Sequence, residues 1–96
     1  MKLRCVIVDD EFLARKRLLK LLESYQNILV VAECRNGKEA LEKIALKEPD
    51  FIFLDIQMPD MDGLALTREI RYRYSKDEVS VIALSGEANK KVISKF

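Results

Sequence analysis

Carboxylates at the ends of two apolar segments are the residues of this 96-residue chain best suited to chemistry. Asp9 and Asp10 directly follow the apolar segment Leu3–Val8, and Asp55 closes the segment that begins at Phe51. If these segments are neighbouring parallel strands, the three carboxylates share one crevice, where their repulsion is costly unless a cation neutralises it. Since only oxygen ligands are at hand, the pattern favours a hard ion such as Mg²⁺.

An aspartate beside such an ion can also attack phosphorus, which would give an aspartyl phosphate. Ser85 ends a further apolar segment, so its hydroxyl could hydrogen-bond a phosphoryl oxygen, and Gly86 would let the backbone approach closely. Taken alone, Asp10 is as readily a helix cap, and Ser85 with Gly86 is more often a turn. Their occurrence after successive apolar segments favours a site.

Composition excludes several classes of function. With no histidine, the chain has no His-ligated zinc, no Ser-His-Asp or Cys-His arrangement and no phosphohistidine of its own. Lys plus Arg is 17 and Asp plus Glu is 16, so the formal charge of +1 does not favour binding of nucleic acid through bulk charge. No DNA-binding element is visible, and the longest apolar run, residues 28–32, is too short to span a membrane.

The two cysteines, Cys5 and Cys34, both lie inside apolar runs. We interpret them as buried free thiols of a cytoplasmic protein, because a small secreted scaffold would carry more cysteines and a signal peptide. A Cys5–Cys34 disulfide between neighbouring strands is the alternative.

Short apolar blocks alternate with longer amphipathic ones along the chain. The blocks predict strands over residues 3–8, 28–33, 51–55 and 79–84, and the amphipathic stretches predict helices over residues 11–24, 36–47, 64–74 and 88–96. Asn36 with Glu39 fits a capping box, Pro49 stops the second helix, and residues 58–63 form a loop. The order βαβαβαβα predicts one α/β domain over residues 1–96, a doubly wound parallel sheet with its last unit unfinished.

Three motifs of this sequence resemble the receiver domain of bacterial two-component response regulators. They are VIVDDE at residues 6–11, FLDIQMPDMDG at residues 53–63 and VIALSG at residues 81–86. The resemblance runs over the whole chain, and the middle motif is highly specific. It implies a flavodoxin-like fold with strand order 2-1-3-4-5.

The resemblance also implies roles for individual residues. Asp55 would accept a phosphoryl group from the phosphohistidine of a sensor histidine kinase or a histidine phosphotransfer domain. Asp10 and Asp55 would bind Mg²⁺ through their side chains, Asp9 through water and Gln57 through its backbone carbonyl. Ser85 stands where the family has its switch hydroxyl. The chain would thus be a phosphoacceptor signalling domain and not an enzyme.

The sequence departs from the family at its C-terminal end. Receivers have five βα units, and here the fifth strand and fifth helix are missing, along with the family's phosphoryl-pairing Lys. We interpret the chain as truncated, with any output domain beyond residue 96. The alternatives are a degenerate receiver-like interaction module and a Mg²⁺-dependent phosphohydrolase. Resemblance to haloacid-dehalogenase-like hydrolases would imply a second Asp two positions after the first, a spacing that Asp9-Asp10-Glu11 does not meet.

Two further expectations concern surfaces. A missing fifth unit would leave the strand at residues 79–84 as an unprotected sheet edge and one face of the sheet without a helix. This predicts self-association through that edge or face, or exchange of segments between chains. The first helix carries four basic residues near the acidic crevice, and the family's kinases dock near this helix, so we expect the phosphodonor to contact that face. These residues are Arg15, Lys16, Arg17 and Lys20.

Overall fold

The computed structural model describes residues 2–55, 57–58, 61–84 and 92–95. Its elements are β1 (Leu3–Val8), α1 (Phe12–Leu22), β2 (Ile28–Cys34), α2 (Gly37–Lys47), β3 (Phe51–Asp55), β4 (Gln57–Met58), β5 (Met61–Asp62), α3 (Gly63–Arg73), β6 (Ser80–Leu84) and β7 (Val92–Lys95). The helices and the four long strands that were predicted up to residue 84 are all found, within about two residues at each end.

The main sheet has the strand order β2-β1-β3-β6-β7. Its first four strands run parallel, and this confirms the doubly wound α/β fold. Along β1 and β3 the register places Val8 opposite Leu54, so both strands end at the same edge of the sheet. The residues that follow β1 are therefore beside the last residue of β3.

The C-terminal part of the prediction is wrong. A helix was predicted over residues 88–96, but Val92–Lys95 forms the strand β7, which pairs antiparallel with β6. β6 pairs with β3 on one side only, and without a strand on its other side it would leave a row of unpaired backbone groups. β7 pairs with these groups. Since β6 is not the sheet edge, the predicted self-association through it loses its basis. Residues 85–91 lie outside the described part.

A second difference is local. The sequence predicts a loop over residues 58–63, whereas the structure has the short antiparallel pair β4 and β5, in which Gln57 opposes Asp62 and Met58 opposes Met61. Turn residues are compatible with both forms, because a tight turn can close a short hairpin. The hairpin leads directly into α3.

The core is split by the sheet into two faces. On what we call the α2/α3 face, fully buried strand residues such as Ile52 and Val81 pack with Ile44 of α2 and Ile70 of α3. On the α1 face, Cys5, Ile7 and Phe51 pack with Leu22 of α1, and the strand residues Phe53 and Ile82 are only half-buried. Alternation along each strand separates the two sets, because successive side chains point to opposite faces.

The two cysteines follow this alternation. Both are buried and free, Cys5 on the α1 face and Cys34 on the α2/α3 face, so the alternative of a disulfide is wrong. Burial raises the pKa of the Cys5 thiol to about 11. Burial, helped by the nearby charge of Glu39, raises the pKa of the Cys34 thiol to about 12. Both side chains therefore behave as small apolar groups.

The N-terminus of α2 confirms the predicted cap. The Asn36 side chain accepts a hydrogen bond from the Glu39 backbone N–H at 2.8 Å. The Glu39 carboxylate accepts in turn from the backbone N–H of Arg35 at 3.0 Å, one residue earlier than the standard capping box. The helix ends at Lys47, and the C-cap residue Glu48 has a left-handed backbone at φ 49°, just before Pro49.

No helix within the described residues is long and apolar enough to cross a membrane.

Candidate metal centre

The three predicted carboxylates come together at one edge of the sheet. Asp9 follows β1, Asp10 opens the connection to α1, and Asp55 is the last residue of β3. One carboxylate oxygen from each lies within 4.8 Å of the others. Asp9 and Asp55 are only 4% exposed, and Asp10 is half-buried. The parallel pairing of β1 and β3 is what produces this convergence of residues that are 46 positions apart.

The connection between β1 and α1 is held by several hydrogen bonds around Asp9. Its backbone N–H donates to the Cys34 carbonyl at the end of β2, at 2.9 Å. Its carboxylate accepts from the backbone N–H of Glu11 at 2.9 Å. Its carbonyl accepts from Nη1 of Arg15 at 2.7 Å. The backbone that carries two of the three acids is therefore fixed from β2 and from α1.

Arg15 is largely buried, with a side chain only 14% exposed. Its Nε donates to Oε1 of Glu33 in β2 at 3.3 Å, and Lys16 donates to the other oxygen of the same carboxylate, also at 3.3 Å. The sequence predicts Arg15 and Lys16 to be equivalent cations on one helix face. The structure separates them, because within the described residues only Arg15 reaches the backbone of Asp9.

A signal for this contact is present in the sequence. Arg15 lies four residues after Glu11, the N-cap of α1, so one helical turn brings it back over the connection that carries Asp9. Its spacing alone does not distinguish it from Lys16 or Arg17, since any basic side chain in the first turns of a helix can point back toward the N-terminus. Only the position of Glu33 in the neighbouring strand fixes the guanidinium.

The cluster suits a divalent cation. All its ligand atoms are oxygens, it is largely buried, and three carboxylates in that space repel each other unless a positive charge lies between them. Hard oxygen ligands without sulfur or imidazole are what Mg²⁺ and similar ions prefer. The residues present therefore fit such an ion.

The remaining predicted site residues are only partly described. Gln57 lies in β4, two positions after Asp55. Ser85 and Gly86 lie outside the described residues. They follow β6 directly, and Leu84 at the end of β6 opposes Asp55, so the carboxyl end of β6 is beside the acid cluster.

Comparison with known proteins agrees with this arrangement. Residues 5–96 match the family model for the response regulator receiver domain, and the chain belongs to that family. Receiver domains are signalling modules of two-component systems, and as a class they accept a phosphoryl group.

Individual relatives make the likeness more specific. The chain is 41% identical over 95 residues to protein-glutamate methylesterase/protein-glutamine glutaminase 2 of Carboxydothermus hydrogenoformans, covering 99% of this chain and 26% of that protein. It is similar to the response regulator domain of Thermotoga maritima CheB, with TM-score 0.78 and 29% identity, covering 97% of this chain and 67% of that one. It is also similar to the signal receiver domain of the putative response regulator NarL from Mycobacterium tuberculosis, with TM-score 0.78 and 32% identity, covering 90% and 68%.

Proposed function

We propose that Asp55 is the phosphoacceptor of this receiver domain. Its carboxylate oxygen attacks the phosphorus of a phosphohistidine on a sensor histidine kinase or a histidine phosphotransfer domain. A phosphorus–oxygen bond forms, the phosphorus–nitrogen bond breaks, and the electron pair returns to the imidazole of the donor. The observation that carries this proposal is the approach of the Asp9, Asp10 and Asp55 oxygens to within 4.8 Å at the carboxyl ends of β1 and β3.

The other acids prepare the site for an incoming anion. In this proposal Asp10 and Asp55 hold Mg²⁺ through their side chains, Asp9 through water, and Gln57 through its backbone carbonyl. The ion supplies positive charge that offsets the repulsion between the carboxylates and the phosphoryl oxygens. Burial of Asp55 limits access of water to the acyl phosphate. Ser85 would hydrogen-bond the phosphoryl group, and Gly86 would allow its backbone to approach.

Labelling with a small phosphodonor tests the proposal. The chain is incubated with Mg²⁺ and acetyl phosphate, and an acid-stable, base-labile adduct is sought by mass spectrometry. We expect one phosphoryl group on Asp55, and none in the Asp55→Asn variant. Asp77→Asn is the matched control, because Asp77 is exposed and far from the cluster in sequence. No adduct would favour an interaction module, and steady turnover of phosphate esters would favour a hydrolase.

Metal binding is tested separately. We expect Asp10→Ala to weaken Mg²⁺ binding more than Glu11→Ala does, because Asp10 belongs to the acid cluster and Glu11 does not. Calorimetric titration of the two variants without a phosphodonor gives the comparison. If both titrate like the parent protein, the site is misplaced.

The phosphodonor is proposed to dock on the exposed face of α1. Phe12 and Leu13 are 58% and 59% exposed, and Lys16 and Arg17 are exposed beside them. We expect Lys16→Glu combined with Arg17→Glu to slow transfer from a histidine kinase and to leave acetyl phosphate labelling intact. Equal loss of both reactions would indicate a folding defect, and unchanged transfer would exclude docking there.

The output is also a proposal. The chain spans about a quarter or less of the curated relatives it matches, which are named protein-glutamate methylesterase/protein-glutamine glutaminase. We infer that phosphorylation at Asp55 regulates an esterase of that kind. A cytoplasmic location belongs to the same proposal, since the two buried cysteines are free thiols. Methyl ester hydrolysis measured with and without acetyl phosphate, in a protein that carries both parts, tests the regulation.

A further inference from the structure

The fold holds the backbone at Asp9, which leads into Asp10, from two sides. The Asp9 backbone N–H is bound to the Cys34 carbonyl in β2 at 2.9 Å. The Asp9 carbonyl is bound by Arg15 Nη1 at 2.7 Å. These two backbone groups flank the Asp9 side chain, and the Asp9 carbonyl belongs to the peptide that leads to Asp10. The two bonds therefore fix the backbone from which both carboxylate side chains project.

The guanidinium that makes the second bond is itself fixed. Glu33 accepts from Arg15 Nε at 3.3 Å, and the Arg15 side chain is only 14% exposed. A planar guanidinium with two separate acceptors has one orientation, which a flexible ammonium does not reproduce. The bridge Glu33–Arg15–Asp9 therefore connects β2, α1 and the connection that carries two acids of the cluster.

A cation placed so near an acid cluster has two opposing effects. Its charge by itself should repel a divalent ion and weaken binding. Its hydrogen bond to the Asp9 carbonyl should strengthen binding by holding the carboxylates ready. The Glu33 carboxylate offsets the first effect, because it pairs with the same guanidinium. We therefore expect the positioning of the carboxylates to outweigh the repulsion of the ion.

We propose that Arg15 is a positioning residue for the metal centre: it holds the Asp9–Asp10 peptide so that the carboxylates converge with Asp55, and Glu33 orients it. This inference rests on the proposed function, since it concerns the same ion. It predicts that removing a positive charge beside the site weakens cation binding, which is the opposite of the simple electrostatic expectation.

The test is calorimetric titration of Mg²⁺ into the full chain without a phosphodonor. Loss of a residue that orients metal ligands typically weakens binding by about 10- to 100-fold, and we expect Arg15→Gln to fall in that range. Arg15→Lys should recover part of the affinity, because its ammonium can still donate to the Asp9 carbonyl but lacks the fixed orientation of the guanidinium. Glu33→Gln should cause a smaller loss, because Arg15 keeps its bond to Asp9 but loses its orientation.

Lys16→Gln is the matched control. Lys16 pairs with the same Glu33 carboxylate at 3.3 Å, but its side chain is 47% exposed, and within the described residues it does not bond to Asp9. We expect it to titrate as the parent protein does. Urea unfolding in metal-free buffer is measured on every variant, so that a loss of affinity is separated from a loss of stability.

The outcomes distinguish the two proposals. If the parent protein binds Mg²⁺, Asp10→Ala weakens it, and Arg15→Gln binds equally or more tightly, the positioning role is overturned and the proposed function stands. Weaker binding in Arg15→Gln and in Lys16→Gln to the same extent also overturns it, because the loss would then follow from the pairing with Glu33 that both residues share and not from the bond to Asp9. A parent protein that binds no Mg²⁺ overturns both.

Discussion

The two faces of the sheet are covered to different degrees. On the α2/α3 face, Ile52 and Val81 are 0% exposed and pack against two helices. On the α1 face, their sequence neighbours Phe53 and Ile82 are half-buried. They border a groove of about 490 Å³ that is also lined by Leu3, Ile28 and Phe51. The same strands thus contribute apolar side chains to both faces, but the first pair of neighbours is fully buried and the second pair only partly.

This difference shows that burial on a parallel sheet is set by the helices that cross it. All four parallel strands are apolar at nearly every position, as expected for strands with helices on both faces. Their sequences alone do not tell which face is better covered. The substitutions below measure how far the two faces differ.

The largest expected effect comes from truncating one isoleucine on each face. Ile52→Ala should lower the free energy of unfolding by about 2–5 kcal/mol, because it leaves a cavity in a fully packed core. Ile82→Ala should lower it by roughly 1 kcal/mol, since part of that side chain is already in water. Urea denaturation of the two variants gives the comparison. Equal losses would mean that the faces are equally packed.

The free energy of unfolding, measured as a function of pH, tests one buried cysteine on each face. The unfolded thiol ionises near 9.0, whereas the folded pKa is about 11 for Cys5 and about 12 for Cys34. Between these values only the unfolded chain loses the proton, so stability falls as the pH rises above about 9. At pH 10 we expect each thiol to lower the free energy of unfolding by about 1 kcal/mol relative to pH 7.

Alanine variants isolate this effect from the titration of other groups. Cys5→Ala and Cys34→Ala should each remove part of the alkaline loss of stability, and the double variant should remove the sum. The reference is the same series at pH 7, where neither thiol ionises. A double variant with the parental slope would show that the thiols do not cause it.

The helices on the two faces also begin differently. Asn36 caps α2 through a side-chain hydrogen bond, while Glu11 at the start of α1 makes no such bond. Asn36→Ala should therefore cost about 1 kcal/mol of stability, whereas Glu11→Ala should change it little. Thermal unfolding in metal-free buffer compares them. A larger loss for Glu11→Ala would contradict the difference in capping.

The smallest expected effect is a shift in the pKa of Glu39, which also belongs to the cap of α2. The backbone N–H of Arg35 and, secondarily, its charge hold the pKa of the Glu39 carboxyl below its ordinary value of 4.5. Because the folded pKa is lowered, the stabilisation is present above pH 4.5 and is lost as the pH falls through the folded pKa. An NMR titration should show the Glu39 midpoint below its ordinary value of 4.5, and a midpoint at that value would exclude the bond.

Much of this molecule could be predicted from residue patterns. The strand Leu3–Val8, the cap at Asn36 and the stop at Pro49 follow from local chemistry that acts within a few residues. The convergence of Asp9, Asp10 and Asp55 was also predictable, because parallel strands end at one edge and acids follow two of them. The strand β7 was not, since Val92 and Ile93 are compatible with a helix or a strand.

What the sequence determined by itself was therefore the type of each helix and each long strand up to residue 84 and the identity of the carboxylates. Periodicity, caps and turn residues are local, and they act before distant parts of the chain meet. Tertiary structure decided the rest: the pairing of β7 with the open edge of β6, the unequal covering of the two faces, and the position of Arg15 between Glu33 and Asp9. Each of these depends on which distant backbone or side chain lies within reach, and composition and spacing do not encode that distance.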